Sequence, residues 1–280
     1  MKGKANIIDG NKIAESIRAE LTRRVADFSA PPGLAIILIG DDPGSHTYVH
    51  LKEKAAREIG IYFEKHLFPA NIAEKKIIDL IESLNKNSSI HGIVVQFPLP
   101  SGWRKDNIID AISVEKDVDG FHPDNVKALL ADRPLIVPGL ATGIMELIQS
   151  TGVPLQGKQA VILANSKVFS GPLGHLLRQQ GVAVSACNPE QADCQLISQK
   201  ADILVVAIGR PGLIKAEVVK KGAIVIDVGY NRVAGRPVGD VDFDSVQEKA
   251  GWITPVPGGV GPMTVAMLLK NVFTAYEKQK

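Results

Sequence analysis

Apolar positions along the chain change period repeatedly, and each change marks an element. Ile13, Ile17, Leu21, Val25 and Phe28 recur every three or four residues, the signature of an amphipathic helix. Residues 34–39 form a continuous apolar run closed by Gly40, which predicts a strand buried on both faces. A helix follows from Ser45, which can cap it, to about Ile59. Residues 61–67 then read as a strand, 72–84 as a helix and 92–95 as another buried strand. The alternation restarts near Gln159, where 160–163, 182–186, 203–208 and 223–227 predict four strands with helices between them. Short buried strands alternating with helices build a parallel sheet covered on both faces. The predicted class is therefore two-domain α/β: a three-layer N-terminal domain and a Rossmann-like, doubly wound nucleotide-binding domain. The segment 121–152, with Pro123, Pro134 and Pro138, reads as a connector and cleft wall. Val265, Ala266, Leu268, Leu269 and Phe273 predict a closing helix after Pro262. The division expected is 1–120 with 263–280 against 121–262.

Composition narrows the function classes. A chain of 280 residues suits two modest domains, and 45% hydrophobic with 22% charged residues is ordinary globular composition. A net charge of +2 without a basic run gives nucleic-acid binding little support. Lys2, Lys4 and Asp9 interrupt the start, so no signal peptide is expected. No run of 18 apolar residues predicts a membrane span. Cys187 and Cys194 do not form a CxxC pair and are expected as free thiols in a reducing cytosol.

Ligands of parallel α/β sheets sit beyond the carboxyl ends of the strands, and polar clusters fall at such places. The first holds Tyr48 and Lys52, four apart on one helix face, beside His46 and His50. A ring and an ammonium there can line one pocket; a packed tyrosine beside a solvated lysine is the plainer alternative. The second is Val95-Gln96-Phe97-Pro98-Leu99-Pro100, where the Gln96 amide ends a strand and can both donate and accept. It can equally serve the loop backbone. The third, Lys116-Asp117-Val118-Asp119-Gly120, offers an acidic turn that can hold a substrate amine or simply make an Asp–Gly turn. The fourth is Thr254-Pro255-Val256-Pro257-Gly258-Gly259-Val260-Gly261-Pro262-Met263-Thr264, a stiff Pro/Gly loop before a helix and suited to a planar polar ligand. His46, His50 and Glu53 also have possible zinc-ligand spacing, but no His-Glu-x-x-His string exists and no metal is expected.

Taken in this order, the four clusters resemble the bifunctional methylenetetrahydrofolate dehydrogenase/methenyltetrahydrofolate cyclohydrolase family over nearly the whole chain. The resemblance implies oxidation of methylenetetrahydrofolate with NADP or NAD, then hydrolysis of the methenyl cation to formyltetrahydrofolate. It implies Lys52 as the catalytic lysine, Gln96 as the residue that bonds and tunes it, and Tyr48 as the ring stacked on the aminobenzoyl group. Asp119 would hold the pterin N–H groups, and Val95, Phe97, Pro257, Gly258, Gly259, Val260 and Gly261 would line the folate site. It further implies a cytoplasmic homodimer.

The coenzyme side departs from the family. The strand end reads Ala164-Asn165-Ser166, with Asn165 where the family has an arginine for the 2′-phosphate of NADP. The next strand ends Cys187-Asn188-Pro189-Glu190, with Pro189 in place of a serine, and Tyr230 and the segment 139–141 also differ. Asn165 has no guanidinium fork, Pro189 has no donor, and Glu190 repels phosphate but suits a ribose hydroxyl. Lys167 is the nearby cation that could compensate. Three readings follow: an NAD enzyme, a cyclohydrolase alone, or an unusual NADP mode. NADP-dependent turnover is expected to be weak. A folate-binding protein without catalysis is the remaining alternative, and Lys52, Gln96 and Asp119 together argue against it.

Overall fold

A computed structural model describes residues 3–191 and 193–280, apart from the Lys167 side chain. In chain order the elements are β1 (Asn6–Ile7), α1 (Gly10–Val25), β2 (Gly33–Ile39), α2 (Pro43–Glu58), β3 (Tyr62–Phe68), α3 (Glu74–Lys86), β4 (Gly92–Gln96) and α4 (Lys105–Ala111). Next come α5 (Pro123–Leu130), α6 (Gly139–Gln149), β5 (Gln159–Ala164), α7 (Lys167–Gln179), β6 (Ala183–Cys187), α8 (Cys194–Ser198), β7 (Ile203–Ala207) and β8 (Ile224–Asp227). The hairpin β9 (Asn231–Val233) and β10 (Arg236–Val238), then α9 (Phe243–Val246), β11 (Trp252–Ile253) and α10 (Val260–Lys278), complete the chain.

Two compact units share these elements. One takes Glu15–Gly139 and Val265–Lys280; the other takes the segment ending at Ala14 with Leu140–Thr264. The first is built on the parallel sheet β3-β2-β4. Its central strand is buried at every position, and alternation decides what each side chain meets. Leu34, Ile36 and Leu38 join a cluster with Leu21, Val49, Val272 and Phe273. Ala35, Ile37 and Ile39 face the other way, against Ile77, Ile81 and Ile108. That is the burial a continuous apolar run predicts.

The other unit is a six-stranded sheet in the order β1-β11-β8-β7-β5-β6, parallel at every pairing. The four predicted strands are its centre and one edge. Strand β5 lies between β6 and β7, so the winding reverses there, and its carboxyl end is the topological switch point.

Several expectations need correction. Residues 1–14 were expected in the first domain, but Ala5, Asn6 and Ile8 donate to the carbonyls of Gln247, Gly251 and Ile253, which adds β1 to the six-stranded sheet. Residues 121–139 fall with the three-stranded unit, where the Asn125 side chain bonds Val114 O and Asp117 Oδ2, both at 2.9 Å. Cys187 and Cys194 are not free thiols. The end of β6 and the start of α8 bring their Cα atoms to 5.9 Å, within disulfide reach, and they are bridged. The last helix starts at Val260, ahead of Pro262 rather than after it, because proline is tolerated in a first turn. No helix among the described residues is long and apolar enough to cross a membrane.

Phe273 is fully buried and lies 5.7 Å from the Phe28 ring, centroid to centroid. Phe273→Ala should destabilise the three-stranded unit by about 3–5 kcal/mol, whereas Leu67→Ala on edge strand β3, 53% exposed, should cost under about 0.5 kcal/mol. Urea denaturation of the two variants checks the contrast.

Candidate active site

Helix α2 begins at Pro43 with Asp42 as its N-cap. Asp42 Oδ2 accepts from Ser45 N (2.7 Å) and Ser45 Oγ (2.8 Å), bonds that hold its carboxyl below the usual range. Ser45 is thus the donor to the cap rather than the cap itself, and its Oγ also lies 3.2 Å from the Phe97 carbonyl at the end of β4. This contact fixes the start of the helix beside the strand end. Tyr48 and Lys52 follow, one turn apart and both half-buried.

Gln96, the last residue of β4, donates its Nε2 to Phe97 O at 2.9 Å. Its Oε1 is therefore turned outward and accepts from Lys52 Nζ at 3.0 Å. An amine donates to that oxygen whether charged or neutral, and when neutral it keeps a lone pair for a proton. The bland reading of Gln96, an amide serving its loop, is half right: one end serves the loop and so aims the other.

The acidic turn separates its two carboxylates. Asp117 is buried and accepts from Gly120 N (3.1 Å), His122 N (2.7 Å) and Asn125 Nδ2 (2.9 Å). Lys116 is buried too and donates to the carbonyls of Leu84 and Asn87. The turn is built by these two residues, and Val118 between the aspartates is core. Asp119 is left to face a cleft lined also by Val95, Phe97, Ile109 and Phe121. Burial pushes its carboxyl up; the Lys52 ammonium opposes this and the Asp117 charge adds to it. A carboxylate pushed up by burial gains most from donors that a ligand brings.

The His46, His50 and Glu53 spacing has a different use. Glu53 accepts from Lys65 Nζ and from Arg57 Nη2 (3.1 Å), and the lysine holds its carboxyl below the usual range. His46 Nε2 lies 3.3 Å from Gly40 O.

The remaining predicted residues lie in the six-stranded unit. Loop 257–261 is seated on the start of α1: Asn11 N donates to Gly258 O at 3.2 Å, and a Cβ on Gly10 would stand 1.8 Å from the Gly259 carbonyl oxygen. Only glycine permits that approach. Ala164, Asn165 and Ser166 make the turn from β5 into α7, with Asn165 Nδ2 donating to Ile208 O at 2.9 Å. Pro189 follows β6, and Tyr230, 48% exposed, follows β8. The helix-start N–H groups at Ser166 receive no side-chain cap, and a Cβ on Gly171 or Gly209 would meet nothing within 4 Å. Such a turn, opening a helix beside unfilled space, fits a dinucleotide phosphate. The Lys167 side chain, the expected compensating cation, lies outside the described residues.

Asp240 escaped the sequence reading. It is fully buried and accepts from Ile208 N (2.6 Å), Gly209 N (2.8 Å) and Asn231 Nδ2 (2.8 Å). Asp227, pushed up to about 6 mainly by burial, accepts from Gly229, Asp240 and Val241 N–H groups. The signal was there: a strand ending in aspartate and a later Gly-Asp pair between apolar residues.

Residues 8–119 match the tetrahydrofolate dehydrogenase/cyclohydrolase catalytic-domain model, and 138–280 match the NAD(P)-binding-domain model of the same family. The bifunctional protein FolD of Halothermothrix orenii is 47% identical over 274 residues, 96% of this chain and 97% of that protein. The bifunctional FolD crystal structure from Campylobacter jejuni has a TM-score of 0.94 at 40% identity, covering 99% of this chain and 100% of that one. The Trypanosoma brucei enzyme, solved with NADP cofactor and inhibitor, has a TM-score of 0.93 at 39% identity, covering 98% of each chain.

Because Asp119 is raised, its stabilising contribution is full below the ordinary carboxylate value of 3.8 and is lost as pH rises through its folded value. Asp119→Asn should therefore melt at a higher temperature than wild type at pH 8, and the gap should narrow as pH falls toward 5. A gap of constant size would contradict the shift.

Proposed function

The chain belongs to the tetrahydrofolate dehydrogenase/cyclohydrolase family, and from that premise we propose that it oxidises 5,10-methylenetetrahydrofolate and hydrolyses the methenyl product to 10-formyltetrahydrofolate. The observation that carries this reading is the Lys52–Gln96 contact, polarised by the Phe97 carbonyl and set on the same unit as the unsaturated Asp119 carboxylate. Asp119 accepts the pterin N–H groups. Tyr48 offers its ring to the aminobenzoyl group, and Val95 and Phe97 supply apolar wall. The backbone of Pro257, Gly258, Gly259, Val260 and Gly261 takes part in holding the folate.

When bound, NAD or NADP accepts the hydride that leaves the one-carbon bridge. Ala164, Asn165 and Ser166 with the first turn of α7 would hold its phosphates, flanked by Pro189 and Tyr230. The oxidised bridge is a cation, so water attacks its carbon and must lose a proton as the bridge opens. Lys52 Nζ, tethered to Gln96 through one N–H, is the group positioned to take that proton when it is the neutral amine. The reading is of a cytoplasmic homodimer. For the dimer, β6 is an edge strand with exposed Ala183, Ser185 and Ala186, and α8 beside it exposes Leu196 at 59%. Unpaired strand edges and apolar patches are where copies associate.

Lys52→Met should lose at least ~10²-fold in methenyltetrahydrofolate hydrolysis with an unchanged circular-dichroism spectrum; near-normal hydrolysis would remove Lys52 from the catalytic role. Asp119→Ala should weaken folate binding by about 1.5–3 kcal/mol for each charged bond lost, with nucleotide affinity unmoved in a parallel titration.

A further inference from the structure

The three strand ends at the switch point are level. Leu163 pairs with Cys187 and Ala164 with Ala207, so β6 and β7 finish on either side of β5. Three residues beyond β6 stands Glu190, and three beyond β7 stands Arg210. Their side chains meet, Arg210 Nη2 donating to Glu190 Oε1. The pair therefore joins the two loops that flank the turn at Ala164, Asn165 and Ser166.

Both loops are held at their backbones. Ile208 N and Gly209 N bond Asp240 Oδ2, Asn165 bonds Ile208 O, and Gly209 has a φ of +77° that glycine alone adopts without strain. On the other side, Glu190 N donates to Asn188 Oδ1 (3.0 Å), Asn188 N donates to Gln191 Oε1 (3.2 Å), and the Cys187–Cys194 bridge closes the loop. What lies at the surface is the pair of side chains, Arg210 55% and Glu190 65% exposed. An ion pair this exposed adds little to folding, so the fold does not require the two residues to stay together.

We infer that Glu190 and Arg210 form the coenzyme selector of this chain, with Glu190 receiving the ribose hydroxyls of NAD and occupying a guanidinium able to grip a 2′-phosphate. The inference rests on the dehydrogenase reading above. An acidic side chain beyond the second strand of a doubly wound sheet accepts from a ribose 2′-hydroxyl and repels a phosphate in its place. Asn165 lacks a guanidinium, and its amide is already committed to Ile208 O. Arg210 has the planar fork that matches a phosphate bidentately, but Glu190 neutralises it. Arg210 in turn keeps Glu190 beside the ribose position, a positioning role separate from its latent one. Removing the Glu190 charge should therefore do more than relieve repulsion: it should release a phosphate ligand.

The test is calorimetric titration of the full chain with NAD, NADP, AMP and adenosine 2′,5′-bisphosphate, for wild type, Glu190→Gln, Arg210→Gln and the double variant, with thermal melts as the folding control. Wild type should bind NAD at least about tenfold more tightly than NADP, and AMP more tightly than the bisphosphate. Glu190→Gln should reverse the order for both pairs, and the double variant should lose that gain. Wild-type preference for the 2′-phosphate, an unchanged ratio in Glu190→Gln, or a gain that survives in the double variant would each overturn the selector while leaving the dehydrogenase reading intact. No binding of any of the four nucleotides to folded wild type would overturn both.

Discussion

Parallel strands covered on both faces leave nowhere along their length for a polar side chain, and this constraint organises the molecule. Strand β2 is buried at all seven positions and β8 at all four, and β7 is almost as enclosed. Polar groups needed for chemistry must then stand at strand ends, where backbone amides also run out of ladder partners. The two demands are met by the same residues. Gln96 satisfies the Phe97 carbonyl and by doing so presents its own oxygen to Lys52. Asp240 satisfies two amides beyond β7 and by doing so fixes the loop that carries Arg210.

The carboxylates show how the division of labour is made. Asp117, Asp227 and Asp240 each accept three donors from their own unit, and they hold turns. Asp119, two residues from Asp117, is desolvated without that saturation, so its ionised form is disfavoured until something else donates. A desolvated carboxylate costs stability in the free protein and returns it as affinity for a ligand with paired N–H groups. Sequence proximity alone could not distinguish these aspartates. Their partners do.

Much of the architecture was legible because burial and period agree. The short apolar run at 34–39, closed by a glycine, reads as a doubly covered strand, and Ile77, Ile81 and Leu84 mark one face of α3. The pieces that escaped notice are short or depend on distant partners. Strands β1 and β11 are two residues each, too short to show a period: β1 exists because Asn6 and Ile7 pair with Trp252 and Ile253 across most of the chain, and β11 pairs with β8 on its other side. The disulfide depends on where β6 stops and α8 starts, which the spacing of seven residues does not state. On the folate side Tyr48, Lys52, Gln96 and Asp119 stood out because their motifs are dense and specific. Asp240 and Arg210 did not, since each acts through a loop contact with a residue far away in sequence.

The contrast between the candidate residues of the two units follows from the same physics. Lys52, Gln96 and Phe97 are chained through one carbonyl, and Ser45 ties the helix start to it as well. Replacing Gln96 strands both the Lys52 amine and the Phe97 carbonyl, and replacing Lys52 strands the Gln96 oxygen, a penalty of about 1–3 kcal/mol. That half has little freedom to vary. At the carboxyl edge of β5, β6 and β7 the backbone is fixed by buried groups, whereas the side chains facing outward are exposed and pair through solvent-screened charges. Substitutions there disturb the fold little. Glu190 and Arg210 stand at such positions, so either can change while the turn at Asn165, tied to Ile208 O, and the start of α7 stay as they are.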